Sequence, residues 1–393
     1  MAYIHPSLLD VYRRADLTFV RGEGAYLYTD KGEKFLDFTS GIAVNCLGHC
    51  HPKLVSALQE QATKLWHTSN LFRVEGQEKL ADRLTSLTFA DRVFFNNSGA
   101  EALETAIKTA RRYHWVRGDK ARNRILSFPN AFHGRTIADL AAAGARGDMG
   151  GFGPAPEGFD QVEEFTIDAV RSALSDETAA ILLEPVQGEG GINVFPNDFL
   201  REIRKICDET GSLLIYDEVQ CGVGRTGKLF AYEWSGATPD IMAVAKGIGG
   251  GFPLGACLAS ENAAAGMDPG AHGSTFGGNP LAMAVGLAVL DEVARPEFLA
   301  HVVEMGEYLS AALNDLSSRR SNVFSGERGL GLMRGLVCNM PAADMLAAAR
   351  NHHALFPRAK GDVVRLLPPL NIEKTHVDEA VAALDSAAGD VAS

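Results

Sequence analysis

The sequence has no long hydrophobic run, no C-x-x-C pair and no excess of basic residues. Its longest apolar stretch, Leu281 to Leu290, is far shorter than the roughly 20 residues a membrane-spanning helix needs. The six cysteines, Cys46, Cys50, Cys207, Cys221, Cys257 and Cys338, are scattered, and a chain of 393 residues can build its core without disulfides. Lys and Arg number 37 against 49 Asp and Glu, a net charge of −12. That balance argues against nucleic acid or an anionic membrane as the main partner, but leaves room for anionic small molecules held by a local arginine cluster. There is no low-complexity tract, charge block or internal repeat. The opening Met1 to Val20 carries Asp10, Arg13, Arg14 and Asp16 in place of an apolar export core, so a soluble, reduced, cytoplasmic protein is expected.

What is present is the composition of a globular protein, 46% apolar and 22% charged, and a length that favours two packed lobes. Gly22 to Ser40 alternates apolar and polar residues around Thr29-Asp30-Lys31-Gly32, the pattern of a small antiparallel hairpin. Residues 53–65 space Leu54, Leu58 and Leu65 at helical intervals after Pro52. From about residue 75 to 290 short apolar runs alternate with helical segments: Arg92 to Phe95, Arg124 to Phe128, Ala180 to Glu184 and Leu213 to Tyr216. Such alternation marks a parallel sheet covered on both faces, with ligands bound beyond the carboxyl ends of its strands. Asn97-Ser98-Gly99, Glu184 and Asp217 all fall at such ends. Asn279-Pro280 opens a further helix. Beyond about 295 the order is helix, strand Gly331 to Val337, helix, strand Val363 to Leu367, which predicts a smaller α/β lobe with the N-terminal hairpin packed against it.

Lys246 follows the apolar stretch Ile241 to Ala245 and precedes the glycine-rich Gly247 to Gly251. A lysine in a glycine loop is ordinarily a solvated cation. At the end of a buried segment, however, its amine is pushed toward the neutral, nucleophilic form. Asp217 closes an apolar strand, where an unpaired carboxylate is costly; a helix cap or a structural ion pair is the plainer reading. Val219, two residues on, projects to the same side. Ser98-Gly99-Ala100 opens a helix striped by Leu103, Ile107 and Ala110, and a helix start can hold an anion. An amine, an acid and an anion site together match the aldehyde, ring nitrogen and phosphate of pyridoxal 5'-phosphate. Phe132 and Arg135 in Ala131 to Thr136 could stack on a flat ring and fork to a carboxylate, though alone they read as core and surface residues. Arg365, inside an apolar run, needs a buried anionic partner or a bound carboxylate.

Two other patterns point elsewhere. Gly222 to Lys228 matches G-x-x-x-x-G-K, but residue 229 is Leu, so the hydroxyl that would hold Mg²⁺ is missing. Cys46, His49, Cys50 and His51 invite a metal, but ligands this close rarely wrap one ion, and Gly48 and Pro52 mark a turn. No metal is expected.

Together, NNSGAEALETAIK, FHGRT, EPVQGEGG, YDEVQCGVGRTGK, the Lys246 loop and GSTFGGNP resemble the class III, ornithine-type aminotransferases of the fold-type I pyridoxal-phosphate enzymes. The similarity runs from GEGAYLYTDKGEKFLDFTSGIAVNCLGHCHP to RLLPPL. It implies an α/β fold with a mostly parallel sheet flanked by helices in a large domain (residues 56–295). A small α/β domain (296–393) would pack with the N-terminal segment (1–55). By the same resemblance Lys246 carries the cofactor as a Schiff base and shuttles the proton, and Asp217 pairs with the pyridinium. Val219 and Phe132 sandwich the ring, and Gln220 lies near its phenolic oxygen. Gly99, Ala100 and Ser98 bind the phosphate, and Thr275 completes that site in the neighbouring subunit of a homodimer. Arg365 grips the α-carboxylate of glutamate or 2-oxoglutarate, and Glu189 pairs with Arg365 when the amino donor is bound. Arg135 and Ser274 hold the far end of that donor.

The AFHGRT stretch and the compact chain favour the branch that acts on N-acetylornithine. Succinylornithine, succinyldiaminopimelate, ornithine and γ-aminobutyrate remain open as donors, as do an aminomutase, racemase or decarboxylase on the same scaffold.

Overall fold

The computed structural model describes residues 5–392; residues 1–4 and 393 of the expected outer segments lie outside it. A seven-stranded sheet forms the centre, in the order Arg92–Asn96, Gly255–Ala259, Ile241–Val244, Leu213–Asp217, Thr178–Leu183, Arg124–Ser127, Phe159–Gln161. All its pairings are parallel except those of Gly255–Ala259, which runs antiparallel to both neighbours. The inner strands read as unbroken apolar runs because both faces are covered. Leu213 and Ile215 face one core, with Leu103, Ala106, Ile107 and Ala110 of helix Gly99–Val116. Leu214 and Tyr216 face the other, with Leu200, Ile203 and Cys207 of helix Asn197–Thr210. Each fully buried Leu or Ile there contributes about 1.5–3 kcal/mol.

The N-terminal hairpin forms as expected, from Tyr26–Thr29 and Lys34–Asp37, and Phe19–Glu23 joins it as a third strand. A fourth comes from far along the chain: Ala354–Leu355 pairs in parallel with Leu36 and Asp37. The helix expected over 53–65 is Pro52–Ala62, and Leu65 beyond it is 48% exposed. Asn279 caps Pro280–Val293 by accepting the Ala282 amide at 2.9 Å. Helix Pro296–Arg319 leads to a four-stranded sheet in the order Phe324–Leu330, Met333–Cys338, Val363–Leu366, Arg358–Ala359, antiparallel throughout. The expected strand at Gly331 to Val337 is thus the second arm of a hairpin that turns at Gly331, where φ is 56°. Its first arm, FSGERGL, hides its strand character behind two glycines and two charges.

Among the described residues no helix is long and apolar enough to cross a membrane. The P-loop-like segment is packed instead of open. Arg225 is buried and donates to the carbonyls of Leu332 at 3.0 Å and Pro368 at 2.6 Å. His49 Nε2 lies 2.8 Å from Asp37 Oδ2.

Candidate active site

A cavity of about 440 Å³ opens at the carboxyl ends of the central strands. Ser98, Gly99, Ala100, Phe132, Arg135, Asp217, Val219, Gln220 and Lys246 all line it. Parallel pairing explains the convergence of acid and amine: Asp217 stands opposite Ala243, three residues before Lys246. Lys246 itself opens a short 3₁₀ turn with φ of 49°, a left-handed conformation for a residue that carries a Cβ. Burial lowers its amine below the usual lysine range, opposed by the carboxylate of Glu189. The nucleophilic form therefore becomes accessible at lower pH.

Asp217 is 4% exposed, and its two oxygens have different partners. Oδ1 accepts the Val219 amide at 3.0 Å, and Oδ2 lies 2.8 Å from His133 Nδ1. His133 is fully enclosed and its Nε2 has no partner. Burial alone pulls this imidazole down, but the bond to Asp217, with Glu184 and Asp139 nearby, outweighs it and holds His133 above its ordinary range. The carboxyl of Glu184 is pushed up to about 8 by burial and by the charge of Asp217. It accepts the Phe132 amide at 3.1 Å and the Gly188 amide at 3.4 Å.

Sequence reasoning missed His133, although it lies inside FHGRT, and gave Glu184 a place at a strand end without a role. A histidine directly after Phe132 was the available signal for the first. A glutamate closing an apolar strand was the signal for the second.

At the helix start, Ser98 Oγ accepts the Glu101 amide at 3.2 Å. The first amides of a helix, here those of Gly99 and Ala100, have no intrahelical acceptor. Gly99 is pressed against Val219: a Cβ there would lie 2.8 Å from Val219 Cγ1. The guanidinium of Arg135 sits 4.9 Å from the centroid of the Phe132 ring.

Arg365 is 2% exposed and forks to Glu189 at 2.7 and 3.0 Å. It also donates to Gln220 Oε1 at 3.2 Å, which joins the ion pair to the cavity wall. Ser274 and Thr275 are not brought into this cavity. They line a neighbouring concavity with Glu101, Glu104 and His272, where Ser274 Oγ accepts the Gly277 amide at 2.9 Å. Thr275 is exposed.

An enclosed amine, an acid braced by a histidine, free helix-start amides and a slot too tight for a Cβ form a coherent donor set. It fits a flat, phosphorylated, aldehyde-bearing heteroaromatic. The comparisons agree. The family model described as aminotransferase class III matches residues 11–388, and the chain belongs to that family. It is a pyridoxal-phosphate-dependent transaminase. Among curated relatives, a protein of Mesorhizobium japonicum named acetylornithine aminotransferase is 57% identical over 95% of this chain and 94% of its own length. The N-acetylornithine aminotransferase of Stenotrophomonas maltophilia K279a superposes with a TM-score of 0.85 at 37% identity, covering 96% of both chains. The ornithine aminotransferase of Toxoplasma gondii ME49 superposes with a TM-score of 0.94 at 28% identity, covering 98% of this chain and 93% of that one.

The Gly99 slot yields a prediction. Gly99→Ala forces a methyl into Val219, an overpacking that costs about 1–3 kcal/mol. Pyridoxal phosphate should bind the apo variant about tenfold more weakly. Titration by absorbance checks this, and unchanged affinity would place the phosphate site elsewhere.

Proposed function

We propose that this chain transfers the terminal amino group of N2-acetyl-L-ornithine to 2-oxoglutarate, giving N-acetyl-L-glutamate 5-semialdehyde and L-glutamate, a step of arginine biosynthesis. The observation that carries this reading is the fork between Arg365 and Glu189. Two substrates of different shape must react at one carbon. 2-Oxoglutarate brings a carboxylate next to its reacting carbon, and the terminal amine of acetylornithine does not. A buried arginine needs an anion in both half-reactions. Glu189, 32% exposed and set among Gly188, Gly190 and Gly191, is an anion able to leave when a substrate carboxylate takes its place. The name of the Mesorhizobium japonicum relative supports acetylornithine as the donor.

Pyridoxal phosphate, when bound, supplies a carbonyl that takes up and returns the amino group and a ring that withdraws negative charge from the substrate carbon. Lys246 would hold it covalently through Nζ, and the same Nζ would take the proton from the substrate carbon and return it. Asp217, oriented by His133 Nδ1, would keep the ring nitrogen protonated. Ser98 and the amides of Gly99 and Ala100 would hold the phosphate, Phe132 and Val219 would enclose the ring, and Gln220 would serve its phenolic oxygen. Arg135 receives the acylated end of the donor, and Ser274, which lies outside the cavity of its own chain, reaches that of the partner, as Thr275 does.

We further read the enzyme as a homodimer in which Thr275 completes the phosphate site of the partner. Thr275 lies beside a connected apolar surface. Trp66, Leu71, Phe72 and Phe276 are 65%, 87%, 67% and 60% exposed, and Asn70 ties their segments together through the carbonyls of Ser274 and Gly277. A cytoplasmic setting accords with six free cysteines. The lobes divide at about residues 55 and 295, and the pairing of Leu36 with Ala354 supports grouping the first segment with the last.

The deciding experiment adds N-acetylornithine, ornithine and γ-aminobutyrate separately to the holoenzyme and follows the visible absorbance. Fastest bleaching by N-acetylornithine, reversed by 2-oxoglutarate, is expected; faster bleaching by another amine would reassign the donor. Arg365→Ala should slow the 2-oxoglutarate half-reaction at least about tenfold more than the amine half-reaction. Equal losses in single-turnover measurements would refute the exchange.

A further inference from the structure

The loop that carries Glu189 is fastened from outside the cavity. The amide of Lys360, in the turn between Arg358–Ala359 and Val363–Leu366, donates to the Glu189 carbonyl at 3.0 Å. The Lys360 ammonium donates to Asn130 Oδ1, two residues before Phe132. Arg328 Nε donates to the Gly191 carbonyl at 2.7 Å, and Gln187 Nε2 to the Pro129 carbonyl at 2.8 Å. Gly190 lies so close that a Cβ would sit 2.5 Å from the Asn130 carbonyl oxygen. The same hairpin also holds Arg365: its Nε donates to the Arg358 carbonyl at 2.9 Å and its amide to the carbonyl of Pro357, just before strand Arg358–Ala359, at 2.8 Å.

A glycine-flanked glutamate would otherwise be free to move with its backbone. Here the backbone is tied at Glu189 itself and at Gly191, and one hairpin holds both members of the ion pair.

We propose that Lys360 is a positioning residue for the carboxylate exchange, locking the turn to Asn130 so that the Glu189 side chain moves while its backbone stays in register with Arg365. Lys360 is exposed and reaches neither the cavity wall nor Arg365. Its effect therefore passes through the Glu189 backbone, and it favours the paired state that an ω-amine requires. The inference rests on the donor and acceptor roles proposed above.

Lys360→Met and Asn130→Gly test it from the two ends of the bond. Asn130 has φ of 61°, so glycine removes the side chain without straining the backbone. Both variants should raise KM for N-acetylornithine about two- to fivefold and leave kcat of the 2-oxoglutarate half-reaction unchanged. Both should also bind glutarate, an unreactive dicarboxylate, more tightly by calorimetry, because Arg365 is less firmly paired. Lys360→Arg, which can still reach Asn130, should behave as the wild type. Equal losses in both half-reactions, or none, would overturn the proposal. So would a weakening for 2-oxoglutarate in Lys360→Met alone, which is the mark of a steering charge. Wild-type enzyme inert toward both substrates would instead sink the proposed reaction.

Discussion

Lys246→Ala is expected to abolish turnover while leaving the fold and the phosphate site intact. In the proposed reaction the side chain serves twice, as the covalent anchor and as the base whose Nζ moves the proton at the substrate carbon. General acid–base catalysis alone contributes about 10²–10⁴ in rate, and the anchoring role adds to it. No other described lysine lines the cavity, so no neighbour can stand in. The truncated side chain leaves the buried strand Ile241–Val244 untouched, so the thermal midpoint should change little. The check is steady-state turnover of the reconstituted variant beside its denaturation curve. Folded protein with wild-type turnover would end the assignment of Lys246.

Asp217→Ala is expected to lower kcat at least about a hundredfold, the scale of losing one preorganised charge at a reacting centre. In the proposed role the carboxylate holds the ring-nitrogen proton through position and charge, and His133 Nδ1, 2.8 Å away, fixes that position. Removing it also leaves His133 Nδ1 without its acceptor in an enclosed site, so some stability should go with the activity. The reading that Asp217 is only a helix cap predicts a different result: lost stability with kcat kept. Measuring kcat and the unfolding midpoint on the same preparation separates the two. A variant within about threefold of the wild-type kcat would contradict the ring-nitrogen role.

The parts of the fold that could be read in advance were those with a strong local signal. Leu213–Asp217 and Thr178–Leu183 are buried along their whole length, so their apolar runs could mean little else. Gly255–Ala259 was not foreseen, because GACLA has no β-branched residue and becomes a strand through neighbours on both sides. Phe159–Gln161, three residues at the sheet edge, gives no periodicity to read. The site follows the same rule. Lys246, Asp217 and Arg365 stand out as charges in apolar surroundings. His133 is buried by a partner 84 residues away, and Lys360 acts through a residue 230 away. No local pattern carries such contacts. Thr275 lies outside the cavity of its own chain, so motif resemblance alone gave it a role.

The parallel pairing of Leu36 with Ala354 has a consequence for how the protein is made. At about 5–20 residues per second on the ribosome, the first strands wait roughly a quarter of a minute to a minute for their fourth partner. During that time Lys34–Asp37 presents an unpaired edge, and unpaired edges recruit other chains. The small N-terminal sheet therefore closes late in biosynthesis, long after its first three strands have been made.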